Sequence, residues 1–90
     1  MPGGRSAAAR RPEFYSFIGQ VVEHLTDTSL TVWVLDDEGG TYVADGVSPA
    51  AWPVGAVAEC FLVEDGSYVK RLEPVSGAVF ERVSSKLIIR

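Results

Sequence analysis

The sequence predicts an all-β protein: a small curled barrel of five or six strands with one short helical turn. Three observations carry that expectation. Short apolar runs rich in Val, Leu, Trp and Tyr alternate in the two-residue period of strands. Turns rich in glycine and acids divide those runs at short intervals. The chain has 90 residues and no long helical pattern, so no layer is available to cover an open sheet, which must close on itself.

Residues 1–12 read as a disordered basic tail, with Arg5, Arg10 and Arg11 and no acid. The tail lacks the apolar run of a secretory signal. Residues 13–83 read as the barrel domain, and 84–90 as a basic and apolar C-terminal extension. From Phe14 to Leu25 the apolar residues fit helical spacing as well as a strand. Gly19 and the paired Val21–Val22 favour a long bent strand, with the glycine at a bulge or barrel corner.

The next elements are clearer. Leu30, Val32 and Val34 share one face of a strand over 30–35, and Thr31, Trp33 and Leu35 share the other. Residues 36–40 form a connection, and 41–45 pair back as a hairpin. Ser48–Pro49 resembles a helix cap with proline at the first helical position, and Pro53 ends that turn. Trp52 is expected to pack inward as a plug. Residues 55–64 and 67–73 flank Asp65–Gly66, the strongest hairpin signal in the chain. Pro74 ends the second of these or sets it at an edge. A last strand is expected over 77–83, followed by a short apolar end at Leu87–Ile89.

Charge is distributed unevenly. All 12 acids lie in 13–81 against only Lys70 and Arg71, a formal −10 for the barrel, while both ends of the chain are basic. A phosphate backbone prefers the opposite sign. Cys60 is the one cysteine. That excludes an intrachain disulfide and the disulfide-stapled secreted class, and makes a reducing cytoplasm the expected home. No run approaches the ~18–20 apolar residues of a membrane span.

The order of three strands, a helical turn and two strands resembles the oligonucleotide/oligosaccharide-binding (OB) fold. The resemblance rests on Gly19–Gln–Val–Val–Glu, Leu30–Thr–Val–Trp–Val–Leu, Tyr42–Val–Ala–Asp–Gly and Pro53–Val–Gly. The layout is like the bacterial initiation-factor-one type of domain, and an SH3-like barrel would leave a similar trace. The OB resemblance implies a ligand face across the second and third strands. Here it would offer Thr31, Trp33, Tyr42 and the acidic tip Asp36–Glu38. Family members that bind nucleic acid pair their aromatics with basic residues, and this chain places acids there instead.

No catalytic residue, cofactor site or metal site is expected. His24 and Asp27 have a spacing that orients an imidazole, but no nucleophile accompanies them. Asp36, Asp37, Glu38 and Asp45 lack the spacing of a calcium loop and fit a solvated hairpin tip. Cys60 fits a buried structural thiol. Glu59 alternates with Val57 and Phe61, so its strand face is either the rim of an interface or a solvated surface. Trp33 lies outward with Leu35 if Leu30, Val32 and Val34 fill the core, and inward if the faces are exchanged. The expected function is a non-enzymatic protein–protein interaction or assembly module, either as a homo-oligomer or as a subunit or adaptor in a larger assembly. The alternative is a nucleic-acid-binding barrel that uses its basic tails and Trp33. The expected contact residues are Trp33, Leu35, Tyr42, Glu59, Phe61, Leu87 and Ile89.

Overall fold

A computed structural model describes residues 15–35 and 39–90. The expected basic tail over 1–12 and the acidic tip Asp36–Glu38 lie outside the described residues. Five strands form a closed barrel in the order β1-β2-β3-β5-β4. They are β1 (Ser16–Thr26), β2 (Ser29–Val34), β3 (Thr41–Asp45), β4 (Val57–Leu62) and β5 (Val69–Pro74). A simple meander would pair β3 with β4. Here β4 crosses the barrel to pair with β1, and β5 closes the gap parallel to β3 through Ala44 and Val69. This is the Greek-key order of a small OB-like barrel.

The segment that fits both periods is a strand. β1 is long because it serves two neighbours, pairing with β4 from Ser16 to Gln20 and with β2 from Gly19 to Thr26. Such shared pairing needs an extended, bent backbone that a helix cannot supply. The register carries no bulge at Gly19, where β1 pairs with both β2 and β4. The register slips instead between Val21 and Glu23 and between His24 and Thr26. Gly19 is required by packing: a Cβ there would lie 3.0 Å from the Phe17 ring and 3.1 Å from both Cys60 Sγ and the Trp33 carbonyl.

Cross-strand partners share a face, so the register fixes the core. Val21, Leu30, Val32, Ala44, Ala58, Cys60 and Val69 are fully buried inside the barrel. Full burial of each valine and leucine among them contributes roughly 1.5–3 kcal/mol. Phe17, Tyr42 and Trp52, each partly buried, pack against this core. A 3₁₀ turn over Pro49–Ala51 carries Trp52, with proline at its first position but without a capping bond from the Ser48 side chain. His24 Nε2 donates to the Trp52 carbonyl at 2.8 Å and ties the plug to β1.

The expected last strand over 77–83 is instead a helix, α1 (Gly77–Val83), followed by a 3₁₀ turn over Ser84–Lys86. Ser76 caps it, its hydroxyl accepting from the Val79 amide at 3.2 Å. That satisfies one of the donors a helix start leaves unpaired. The apolar residues Val75, Val79, Val83 and Leu87 recur every four positions, which lines one face of a helix. They press on the outside of the barrel and form a second, smaller core with Ile18, Leu35, Trp33 and Val57.

Candidate functional site

The outside of the barrel has two apolar regions. The first, over β1 and β2, is covered by the C-terminal segment. Trp33 is outward, opposite Leu30 and Val32, but α1 lies over it and it is half-buried. Gly39, at φ +91°, sits against the indole so closely that a Cβ would meet Cζ2 at 2.8 Å. Leu35 is only 1% exposed, so its expected place on a contact surface is corrected. Leu87 packs into the same covered cluster.

Gln20 anchors this cover. It is fully buried, and its amide makes four hydrogen bonds. Its Oε1 accepts from the Ile88 and Ile89 amides at 3.0 and 3.1 Å. Its Nε2 donates to the Ile89 carbonyl at 2.8 Å and to the Gly55 carbonyl at 3.1 Å. That exhausts the capacity of a carboxamide. Ile89 is half-buried and held by its backbone, and the apolar end at Leu87–Ile89, expected as a contact element, is docked on the chain's own barrel as a strap.

Tyr42 is also corrected. It pairs with Val32, not with Trp33, so it faces the barrel interior. Its ring lies 5.0 Å from that of Phe17. The outer surface of β2–β3 is left with Thr31, Thr41, Val43 and Asp45. Neither aromatic of these strands stands free there, which removes the stacking platform that the OB resemblance implied.

The second region, over β4 and β5, is open. Phe61 points outward from β4 and pairs across the strands with Arg71. The guanidinium lies 4.2 Å over the Phe61 ring centroid, a cation–π contact. Arg71 Nε also lies 3.0 Å from Glu73 Oε2. Glu59 stands directly opposite Glu73. Like charges in that position repel, and each has its own partner: Arg71 for Glu73, and for Glu59 the Ser16 hydroxyl, which donates at 3.1 Å. Beside this ladder runs a groove of about 330 Å³ lined by Tyr15, Phe61, Leu62, Glu64, Lys70 and Arg71. Tyr15 is 40% exposed.

Of the seven expected contact residues, only Glu59 and Phe61 belong to this open face. Tyr15, Lys70 and Arg71 were missed. A strict two-residue turn at Asp65–Gly66 places Phe61 opposite Lys70. The register shifts by one residue between Phe61 and Leu62, so Arg71 takes that place. The bulge leaves Lys70 and Arg71 both exposed between buried Val69 and Leu72. The two cations isolated by the charge distribution were the available signal.

Elsewhere the chemistry is plain. Cys60 is buried, its thiol donating to the Ala58 carbonyl at 3.6 Å. Among the described residues no group of three or more His, Cys, Asp or Glu could hold a metal ion. No helix of the described residues is long and apolar enough to cross a membrane. No family model matches the chain, and no curated protein or solved structure matches it; what it is similar to is set by its strand order alone, a small OB-like β-barrel module.

Proposed function

We propose that this chain is a non-enzymatic protein-interaction or assembly module that docks its partner on the outer face of β4–β5. The observation that supports this reading is the groove in which exposed Tyr15 and half-buried Phe61 meet Lys70 and Arg71. Aromatic rings and arginine are the side chains that concentrate binding energy in protein interfaces. A nucleic-acid role has less support. The aromatics it would use, Trp33 and Tyr42, lie under α1 and inside the barrel. The barrel also supplies only two cations to neutralise phosphates.

Light scattering of the full chain, with co-purification from cells at low and high salt, tests the proposal. The wild type is expected to self-associate or retain a protein partner, and Phe61→Ala to lose that association while still unfolding in one cooperative thermal transition, lowered by only a few degrees. A strictly monomeric chain whose retained proteins are indifferent to Phe61→Ala would overturn it.

A further inference from the structure

Lys70 and Arg71 are the only cations between residues 13 and 81, and both line one groove. In an otherwise acidic barrel this is a local reversal of sign. Arg71 is held in place by Phe61 below it and Glu73 beside it. Its fork is thereby pre-organised, which lowers the cost of using its remaining donors. Lys70 makes no ion pair among the described residues, and its side chain is exposed. The groove floor is apolar, from Phe61 and Leu62, and Tyr15 forms one wall.

The surroundings limit what can sit there. Glu64 lines the same groove, and Glu59 and Glu73 flank it on the neighbouring ladder. A continuous polyanion would meet these carboxylates within a few ångströms of its contact with the two cations. Two neutralised phosphates would also release few counterions. A single carboxylate with uncharged neighbours meets the cations without that penalty. At about 330 Å³ the space is at the small end of ligand pockets, suited to a few side chains.

Building on the interaction reading above, we propose that this groove takes a short segment of a partner protein in which a carboxylate adjoins an apolar or aromatic side chain. The carboxylate sits between Lys70 Nζ and the free guanidinium edge of Arg71. The apolar neighbour lies on Phe61 against Tyr15. Charge decides the choice of segment, and the aromatic floor supplies most of the affinity.

The test is selection of short random peptides displayed against the full chain, followed by titration of labelled copies of the peptides recovered. Recovered sequences are expected to be enriched in Asp or Glu beside an aromatic or aliphatic residue. Replacing that acid by its amide, or making Lys70→Glu, should weaken binding about two- to fivefold, as exposed charge pairs allow. Binding should also weaken as salt rises. Lys70→Glu changes an exposed side chain, and an unchanged thermal transition confirms that it folds. Peptides that require Phe61 but ignore both the acid and Lys70→Glu would overturn the acidic chemistry and leave the docking face standing. A library with no peptide dependent on Phe61 would overturn both. Single-stranded oligonucleotide that binds through Lys70 and Arg71 more tightly than any recovered peptide would replace the peptide by a nucleic acid.

Discussion

The two outer faces of this barrel begin from similar material and end in different states. Over β1–β2 and the first residue of β4, Ile18, Trp33, Leu35 and Val57 carry an apolar surface, and the chain covers it with its own C-terminal helix and strap. Over β4–β5, Phe61 and Tyr15 carry a second aromatic surface, and no segment of the described chain crosses it. The difference lies in what surrounds each aromatic. Trp33 has aliphatic neighbours, so water exclusion by α1 is favourable at little polar cost. Phe61 is ringed by Glu59, Glu64, Lys70, Arg71 and Glu73, whose burial without matched partners would be costly. An outward aromatic on a small barrel is therefore not by itself a docking site. Its neighbours decide whether the chain seals it or leaves it for a partner.

The largest expected effect comes from turning the covered face into an open one. Val83 is fully buried between α1 and the barrel. Val83→Asp loses that packing and places a charge in the outer core, at a cost of about 3 kcal/mol or more. The expected outcome is detachment of α1, a red-shifted Trp33 emission and a lower Tm. Trp33 emission unchanged from the wild type would mean that α1 does not seal this face.

Gln20→Leu attacks the same cover from the strap. It fits the space but leaves two amides and two carbonyls without their partner. Each buried group so orphaned costs about 1–3 kcal/mol, although strap release lets water satisfy them and caps the total near 2–3 kcal/mol. Hydrogen exchange at the Ile88 and Ile89 amides should accelerate strongly while Val21 and Val32 stay protected. Equal acceleration across the barrel would show that strap and barrel unfold as one unit.

These two faces were unequally legible in the sequence. The barrel is legible in alternation and turn chemistry, because period-2 runs such as Leu30–Leu35 mark strands, although that run, apolar on both sides, leaves open which side faces inward. The helix was not. Gly77–Val83 contains valine and phenylalanine at strand-like density, and its meaning lies in Val75, Val79, Val83 and Leu87 spaced by four behind a Ser76 cap. That stripe makes sense only against an outer core whose other half, Ile18 and Leu35, sits far away in sequence. Gln20 was similarly silent, since a polar residue in a strand gives no hint that its partners are the Ile88 and Ile89 backbone. On the open face, Phe61 and Glu59 were found by alternation. Lys70 and Arg71 were not joined to them because a one-residue bulge changes their register.

Phe61→Ala sharpens the comparison from the open side. Phe61 is half-buried, and the substitution removes its cation–π contact with Arg71. The expected loss is about 1 kcal/mol of stability, smaller than at Val83, with a much larger proportional loss of partner binding. Urea unfolding of the two variants side by side gives the ranking. A loss at Phe61 equal to that at Val83→Asp would place Phe61 among the residues that hold the fold and weaken its role as an exposed anchor.

The smallest effect is expected at the tip of the hairpin that carries the open face. Asp65 Oδ1 accepts from the Ser67 hydroxyl at 2.6 Å and from the Ser67 amide at 2.9 Å. These bonds, the hydroxyl's first, hold its carboxyl below its ordinary value of 3.8. A folded value below the unfolded one means the unfolded chain binds the proton more readily. The resulting stabilisation is present above the ordinary carboxylate range and disappears as pH falls through the lowered folded value. Asp65→Asn can still accept from Ser67 but carries no charge, so this dependence is removed. The Tm of the wild type should exceed that of Asp65→Asn by a small margin at neutral pH, and the gap should close as pH falls through the lowered folded value. Exchange at Ile88 and Ile89 should be the same in both proteins throughout, since the tip and the strap share no contact in the hydrogen-bond network. A gap constant from neutral to strongly acid pH would mean that the charge of Asp65 does not organise the turn, and the open hairpin would then depend on Gly66 at φ +76° and the Val63–Tyr68 backbone bond for its closure.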